Sequence, residues 1–376
     1  MHYQIERSRT MRWYDHFIKY FVGILFIFSG LIKVNDPVGT AIKLKEYFEV
    51  FANDFSPLFG IFVPFNLAIS VFFVVFEVML GIALILNYRF RITAWLLLFL
   101  IIFFSFLTFY SAFFNKVTDC GCFGDAIPLT PWQSFSKDVV LLVMALFLLI
   151  RRNQFKSLNI RKSYVEGIMA FALGFTFILA VYAIRHLPFI DFRPYSIGSN
   201  IPVSMKPSEP YRYRYIMEKD GKEFSFDEFP SDTTYVFREM IILNPDARPK
   251  ITDYHVWNDD GGFTLETFTG NKLFIIFPDV KKANTRKLDR IRKLIPEIDH
   301  TIDVSILTAS GESDIESFRH EYQLAAPYFY SDMTVLETII RSNPGLWLLK
   351  DGIVMGKWHY NDIPEAGKLI ELVALP

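Results

Sequence analysis

Five long apolar segments fill the first half of the chain, and they constrain its fold more than any other feature. A helix needs about 20 apolar residues to cross about 30 Å of hydrocarbon. In chain order the segments are Phe17–Val34, Pro64–Leu86, Ile92–Phe114, the shorter Ser136–Ile150, and Val165–Ile184. Because the backbone must satisfy its own hydrogen bonds in lipid, we predict five membrane-spanning helices.

The second half, from about Asp191 onward, mixes charged and polar residues evenly, as a globular domain does. A length of 376 residues suggests two units at roughly 100–200 residues per domain. No recognisable cleavage site follows the first apolar segment, so we interpret it as an anchor rather than a removed signal peptide. A net charge of -1 without a basic tract gives no reason to propose nucleic-acid binding. The expected fold class is multi-domain: an all-α transmembrane helical bundle followed by an α/β domain.

The distribution of lysine and arginine predicts how the five helices are oriented. Cytoplasmic loops of membrane proteins carry an excess of these residues. They cluster in the N-terminal segment and in the loops after the second and fourth apolar segments: Arg7, Arg9 and Arg12; Arg89 and Arg91; Arg151, Arg152, Lys156, Arg161 and Lys162. We therefore predict five spans in a bacterial inner membrane, a cytoplasmic N-terminus and a periplasmic C-terminal domain.

The loop after the third apolar segment contains Cys120 and Cys122, the two cysteines of the chain, with Gly121 between them. The predicted orientation places them on the periplasmic side, where disulfides persist. Glycine permits the tight turn that a bond between them needs, but the disulfide would be strained, and strained, exposed disulfides tend to be labile or catalytic. We interpret Cys120 and Cys122 as candidate catalytic residues. A structural or inert pair remains an alternative, as does a metal site, although zinc prefers four ligands.

Three polar residues are candidates for a proton relay or a quinone site. Lys33 and Asp36 follow the first apolar segment on the same side as the cysteines. Lys33 either favours a cysteine thiolate or extends to the interface. Glu77 lies 13 residues after Pro64, which corresponds to about 20 Å of helix. An acid at such depth is by default a functional candidate, and the alternative is an interhelical hydrogen bond from a neutral Glu77.

These residues carry a family resemblance. The stretch FVGILFIFSGLIKVNDPVGTAIKLKEYF, Glu77 in FEVMLGIALIL and the loop DCGCFGD resemble the DoxX/MauE group of small membrane proteins, and the loop resembles MauE in particular. The resemblance covers about Arg12–Ile150 and implies a four-helix bundle. It also implies maturation of a disulfide-rich periplasmic enzyme, as in methylamine utilisation, or electron transfer to quinone. DoxX relatives and oxidoreductases of the vitamin K epoxide reductase type are linked to quinone. With its fifth span, the chain looks like a DoxX-family form found in Bacteroidetes.

The C-terminal residues 249–376 are similar to the thioredoxin-like fold. The order of the expected elements carries the resemblance: strands in KLFIIF and TIDVSILTA, helices at Lys281–Leu294 and Asp332–Arg341, a hairpin in GLWLLKDGIVMGKWH and a helix at Pro364–Val373. FIIFPDVKKAN replaces the family's Trp-Cys-x-x-Cys motif, and Pro344 is the counterpart of its cis-proline. No cysteine occurs in this half. We therefore expect it to bind a partner, through Pro278, Asp279, Lys281 and Pro344, rather than to exchange thiols.

The predicted domains are a bundle at 12–150, a cytoplasmic loop and fifth helix at 151–189, a linker and β-hairpin at 190–248, and the thioredoxin-like domain at 249–376. One function that fits is thiol–disulfide exchange at the cysteine pair, coupled to a quinone and supporting maturation of periplasmic or envelope proteins. It needs no covalent cofactor. Its partners would be periplasmic protein thiols or a separate cysteine-bearing thioredoxin-like protein. The alternative is a non-enzymatic envelope scaffold, so the sequence leaves open whether the chain is an enzyme.

Overall fold

The computed structural model describes residues 2–117, 121, 123–155, 161–298 and 300–374, with side chains from residue 13 onward. Contacts within the chain separate it into two units, Met1–Phe192 and Arg193–Pro376. The first unit is helical, and the second combines helices with β-sheets. This division confirms the predicted helical bundle followed by an α/β region.

The first unit is built from long apolar helices. They are α1 (His2–Asn35), α2 (Pro37–Asp54), α3 (Asn66–Ile85), α4 (Phe90–Phe114), α5 (Pro131–Ile150) and α6 (Lys162–Arg185). Within the described chain, five helical stretches are long and apolar enough to cross a membrane, namely Trp13–Asn35, Pro57–Ile85, Phe90–Phe114, Pro131–Ile150 and Lys162–Arg185. Their outward faces expose large side chains such as Phe99 and Phe171, as contact with lipid requires. The five predicted apolar helices are confirmed, whereas their orientation in a membrane stays a prediction.

Helix α2 was not predicted from the sequence, where we treated this segment as a loop. Its charged residues hide the helical spacing of its buried side chains, which are Pro37, Ala41, Leu44, Tyr47 and Phe51. Asp36 caps the helix, because its carboxylate accepts a hydrogen bond of 2.8 Å from the Gly39 N–H. The helix therefore lies with one face against the bundle, and that face includes Tyr47.

Helices α1 and α3 pack at unusually short range because glycines lie between them. A Cβ atom on Gly30 would lie 2.6 Å from Val78 Cγ2, and one on Gly81 would lie 2.7 Å from the Gly23 carbonyl oxygen. Small residues of this kind let helix backbones approach closely in membranes. The close packing brings the end of α1 against the middle of α3, where Lys33 and Glu77 meet.

The second unit contains two sheets. Its strands are β1 (Tyr213–Lys219), β2 (Lys222–Phe226), β3 (Val236–Ile242), β4 (Trp257–Asn258), β5 (Gly261–Gly262), β6 (Asn271–Phe277), β7 (Asp303–Thr308), β8 (Tyr328–Tyr330), β9 (Gly345–Lys350) and β10 (Ile353–His359). Its helices are α7 (Ile201–Ser204), α8 (Leu288–Ile298), α9 (Glu312–Tyr322), α10 (Met333–Ile339) and α11 (Ala366–Ala374). The small sheet has the order β2-β1-β3, and the large one the order β10-β9-β6-β7-β8-β4-β5.

The large sheet is mixed. Strand β6 pairs parallel to β7, and β7 pairs parallel to β8. On the other side, β9 and β10 form an antiparallel hairpin beside β6. One face of the central strands packs against α8, α9 and α11 through a shared apolar core that includes Ile275, Ile306 and Leu369. The predicted mixed sheet and terminal hairpin are confirmed, whereas the thioredoxin-like identity stays a prediction.

Three details differ from the sequence-based expectation. The helix expected at Lys281–Leu294 begins at Leu288, because short 3-10 turns capped by Asp279 and Asn284 precede it. The β-hairpin predicted within residues 190–248 is present as β1 and β2, but a third strand, β3, which was not expected, pairs with β1. The segment read as a linker packs into the second unit, where Tyr195 is only 2% exposed.

Candidate functional site

A cavity of about 70 Å³ lies inside the first unit, between α1, α2, α3, α4 and α5. Most of its wall is apolar, including Phe26, Phe73, Phe104, Leu107 and Leu141. A buried water needs about 10–15 Å³, so the cavity has room for several. The polar residues in this wall are the candidate site.

An ion pair between Lys33 and Glu77 is buried in the wall. Lys33 Nζ lies 2.7 Å from Glu77 Oε2, and the two side chains are 8% and 5% exposed. The ammonium group also donates a hydrogen bond of 3.2 Å to Ser29 Oγ and lies 5.0 Å from the centre of the Phe104 ring. Burying two charges is costly unless they are paired and hydrogen-bonded, and this geometry meets that condition.

A second carboxylate lines the same cavity. Asp138 of α5 is 3% exposed and accepts a hydrogen bond of 3.0 Å from Thr108 Oγ1 of α4. Its other oxygen pairs with Lys137, whose ammonium group also lies 5.4 Å from the Phe123 ring. The cavity therefore holds two carboxylates on different helices, each with its own lysine.

Gly121, the residue between the two cysteines, also lines this cavity. Its φ of +62° lies in the left-handed region, which favours glycine because other residues meet a steric penalty there. A Cβ atom at this position would lie 3.5 Å from Lys43 Cγ of α2, so Gly121 lies close to α2. Cys120 and Cys122 themselves lie outside the described residues.

Described residues on both sides of the cysteines contact the bundle. Before them, Lys116 and Tyr110 both bond to Asp54 at the end of α2. The pKa of Asp54 lies below its usual value, because the hydrogen bond from Lys116 lowers it most and the bond from Tyr110 lowers it further. Desolvation acts in the opposite direction but is smaller. After the loop, Phe123 is buried, and its ring packs near Phe28 of α1. Both contacts attach the described residues on either side of the cysteines to the bundle.

The structure brings together two of the three residues predicted for proton or quinone chemistry. Lys33 and Glu77 are in direct contact. Asp36 is not among the cavity-lining residues and instead caps α2. Sequence reasoning missed Asp138, which lies about two turns inside α5 although the predicted fourth span begins only two residues before it. Other lining residues were also missed: Thr108, Lys137, Lys43 and Tyr47.

In the second unit, the four predicted partner-binding residues lie on two adjoining loops. The Asn343 side chain donates a hydrogen bond of 2.7 Å to the Asp279 carbonyl oxygen, which joins the loop after β6 to the loop before β9. The Asn343–Pro344 peptide bond is cis, as the resemblance implied. Pro278 and Pro344 are buried, whereas Asp279 is half-buried and Lys281 is exposed.

The charges in these loops are paired. Asp279 accepts a backbone hydrogen bond from Lys281 and pairs with Lys282 at 3.0 Å. Burial raises the pKa of Asp279, but the bonds from Lys282 and Lys281 and their charges outweigh burial, so its pKa lies below the usual value. Lys281 pairs with Asp314 at 2.8 Å, and this bond raises the lysine pKa. A partner contacting this surface would meet a stable ionised network.

The first unit is similar in sequence to a known protein family. Residues 11–151 match the family described as "Methylamine utilisation protein MauE". Over these residues, which form most of the apolar helices, the chain is similar to MauE. Residues 211–242, which contain the small sheet, match a family described as "Domain of unknown function (DUF8463)".

A curated relative shares part of the sequence. "Protein TlpB" of Flavobacterium psychrophilum is 31% identical over 144 residues, which is 36% of this chain and 37% of the relative. The alignment thus spans little more than a third of either protein. The predicted resemblance to MauE is confirmed, and the resemblances to DoxX and to the thioredoxin-like fold stay predictions.

Proposed function

We propose that the protein is a membrane thiol–disulfide oxidoreductase, in which Cys120 and Cys122 exchange with a partner's thiols and pass electrons to a quinone. One observation carries this proposal: Gly121, between the cysteines, lines the cavity that contains the buried Lys33–Glu77 pair. A thiol pair beside buried acid–base groups is the arrangement that coupled electron and proton transfer needs. The described similarity to MauE over residues 11–151 is consistent with it.

The exchange is balanced in electrons and protons. A thiolate of the partner attacks one sulfur of the Cys120–Cys122 disulfide, a mixed disulfide forms, and the other sulfur leaves as a thiolate. The partner's second thiol then breaks the mixed disulfide, so the partner is oxidised and the pair is left as a dithiol. Reoxidation of the pair releases two electrons and two protons. A quinone supplies the chemistry to accept both, becoming a quinol.

The lining of the cavity fits a quinone head group. Its wall is mostly aromatic and aliphatic, including Phe73 and Phe104, which suits an apolar ring. Lys33 Nζ is a buried cationic donor, which suits a carbonyl oxygen that gains negative charge on reduction. Pockets for small molecules combine an apolar lining with a few placed polar groups. Lys33 would orient the ring.

The carboxylates would move the protons. In the proposed reaction Glu77 accepts a proton released from the cysteine pair and returns it on the cavity side, while Lys33 stabilises its charged form. Asp138 provides a second acceptor in the same wall. Proton transfer by positioned side chains requires contact directly or through one water, and the cavity volume of about 70 Å³ provides room for such waters.

We place this chemistry at the periplasmic face of a bacterial inner membrane. Lysine and arginine cluster on the opposite loops, which supports a cytoplasmic N-terminus. If all five helices cross, the cysteine loop and the second unit lie on the same side. The second unit, which we propose to be thioredoxin-like, contains no cysteine, so it would bind the partner protein rather than reduce it. Its partner would be a periplasmic or envelope protein in maturation.

The scaffold function remains a second candidate because the second unit lacks cysteine. In that case the unit would hold an envelope partner, and the cysteine pair would be structural. Thiol trapping in living cells separates the two functions. We expect Cys120 and Cys122 to be oxidised in normal cells and to accumulate as a dithiol when quinone synthesis is blocked.

Two variants sharpen this experiment. Glu77→Gln should accumulate the dithiol even when quinone is present, since the acceptor paired with Lys33 is gone and Asp138 pairs with a different lysine. Glu49→Gln is the matched control, because Glu49 pairs with Lys45 on the exposed side of α2 and does not line the cavity. If the redox state of the cysteine pair changes neither when quinone is depleted nor in Glu77→Gln, the result favours the scaffold function.

A further inference from the structure

A second cavity, of about 420 Å³, opens at the other end of the first unit. It lies between the start of α4 and the end of α5. Three arginines line it, Arg89, Arg91 and Arg152, together with Asn87, Asn153 and the rings of Phe90 and Phe155. The two rings stack at 4.3 Å and form a rigid apolar part of the wall. We name this space the arginine cavity.

The arginines that line this cavity have no acidic partner in the part of the chain that the structure describes. Arg91 donates to Asn153 Oδ1 at 2.9 Å, Arg152 donates to the Leu149 carbonyl oxygen at 3.2 Å, and Arg89 lies over the Tyr88 ring. By contrast, the neighbouring Arg151 pairs with Asp15 at 2.8 Å. Asp15 is thus already paired with Arg151. Among the described residues, no carboxylate neutralises the three arginines that line the cavity.

A fourth positive charge lies directly behind the wall. Lys19 of α1 is 1% exposed, and its ammonium group donates to Asn87 Oδ1 at 3.1 Å and to the Ile85 carbonyl oxygen at 3.2 Å. Both acceptors are neutral. A buried cation in a membrane segment is expensive unless a counter-charge lies near it, so the cavity beside Asn87 favours an anion.

We propose that the arginine cavity binds the phosphodiester headgroup of an anionic membrane lipid. Arginine forks match phosphate oxygens well, and basic pockets between transmembrane helices bind lipid headgroups of this kind. The position favours a lipid over a soluble phosphate, because the cavity lies where three candidate spans end and Ile92 continues its wall along the exposed side of α4. The apolar residues of the wall would then meet the start of the acyl chains.

The experiment uses the full-length protein purified in detergent and incubated with equal amounts of phosphatidylglycerol and phosphatidylcholine of the same acyl chains. Native mass spectrometry then measures which lipid is retained. We expect the wild type to retain phosphatidylglycerol preferentially, and the preference to fall about fivefold for each arginine replaced by glutamine. The matched control is Arg161→Gln, an exposed residue of the same loop that does not line the cavity, and it should keep the preference.

Three outcomes would overturn the proposal. The first is equal retention of both lipids by the wild type, and the second is an equal loss in Arg161→Gln, which would mean that general surface charge acts. The third is full displacement of the lipid by excess glycerophosphate, which would make the cavity a site for a soluble anion. Should the variant with all three arginines replaced unfold, the single variant Arg89→Gln tests the proposal by itself. Arg89 is exposed, and its variant should show the fivefold loss with an unchanged unfolding temperature.

Discussion

Replacing the buried charges of the Lys33–Glu77 pair distinguishes a structural ion pair from one that moves protons. Three variants are needed: Glu77→Gln, Lys33→Met, and the double change Lys33→Met/Glu77→Met. Glutamine keeps the hydrogen-bonding capacity of Glu77 but removes its charge, so Lys33 is left as a buried cation. Methionine resembles both side chains in length, and the double change therefore removes both charges with little change in volume.

The expected free energies of unfolding follow from the geometry. The two side chains are 8% and 5% exposed and in contact at 2.7 Å, so solvent screens them little. Removing one member of a buried pair costs about 3–5 kcal/mol, whereas replacing both with apolar groups is often neutral. Ser29 and Phe104 still contact Lys33 when Glu77 is changed, so we expect about 3 kcal/mol for Glu77→Gln, at the lower end of that range. The double variant should lie close to the wild type.

The assay is denaturant unfolding of the purified protein in micelles, combined with thiol trapping of the cysteine pair in cells. If the pair moves protons, the double variant is stable and yet accumulates dithiol. If the pair is structural, the double variant is stable and its cysteines stay oxidised. The second result would refute our assignment of Glu77. A stability loss below about 0.5 kcal/mol in Glu77→Gln, typical of surface sites, would refute the buried geometry itself.

The remaining predictions concern the cysteine loop and the second unit. Cys120→Ser and Cys122→Ser should each abolish activity as fully as the double change, because both sulfurs act as one unit, and full complementation by both would contradict a redox role. Gly121→Ala should destabilise the loop by about 1–2 kcal/mol because of its positive φ, measured as a lower unfolding temperature. Residues 193–376 expressed alone should fold and show no disulfide reductase activity in an insulin assay. Since the pKa of Asp279 is depressed, its stabilisation is complete above the ordinary value of about 4 and is lost as pH falls below it. Asp279→Asn should therefore lower the melting temperature of that fragment at neutral pH but not in strong acid.

The helices of the bundle were predictable because each corresponds to a long apolar segment of the sequence. A run of about 20 apolar residues has few other stable structures in lipid, and each such run became a helix. Helix α2 was missed for the opposite reason. Two lysines and two glutamates, which form two ion pairs, interrupt its apolar spacing. Only the packing of the helix against the bundle, including α4, reveals that Leu44, Tyr47 and Phe51 share a buried face.

The candidate site was predictable only in part, because sequence position does not determine which helix faces meet. Glu77 was predicted correctly as a site candidate because an acid deep in an apolar segment is costly and usually has a function. Asp138 was missed because it lies near the start of the predicted span Ser136–Ile150, where an acid usually faces water, whereas α5 itself begins at Pro131. Its burial depends on the neighbouring α4, whose Thr108 donates the bond that satisfies it. The small sheet likewise gained β3 through a pairing with β1 that the local pattern does not show.

The cavity lined by Lys33 and Glu77 and the arginine cavity lie at different levels along α1, so the two proposals can fail separately. Lys33 in α1 reaches the first cavity, and Lys19 in α1 lies behind the second. Fourteen residues separate them, which corresponds to about 21 Å of helix. At that distance the two charges are screened from each other in any aqueous path, although α1 itself connects them rigidly. Loss of lipid binding with an oxidised cysteine pair would therefore identify an anchoring site without catalytic influence. Accumulation of dithiol in the arginine variants, with Glu77 intact, would instead mean that the lipid holds α1 in the position that the first cavity requires.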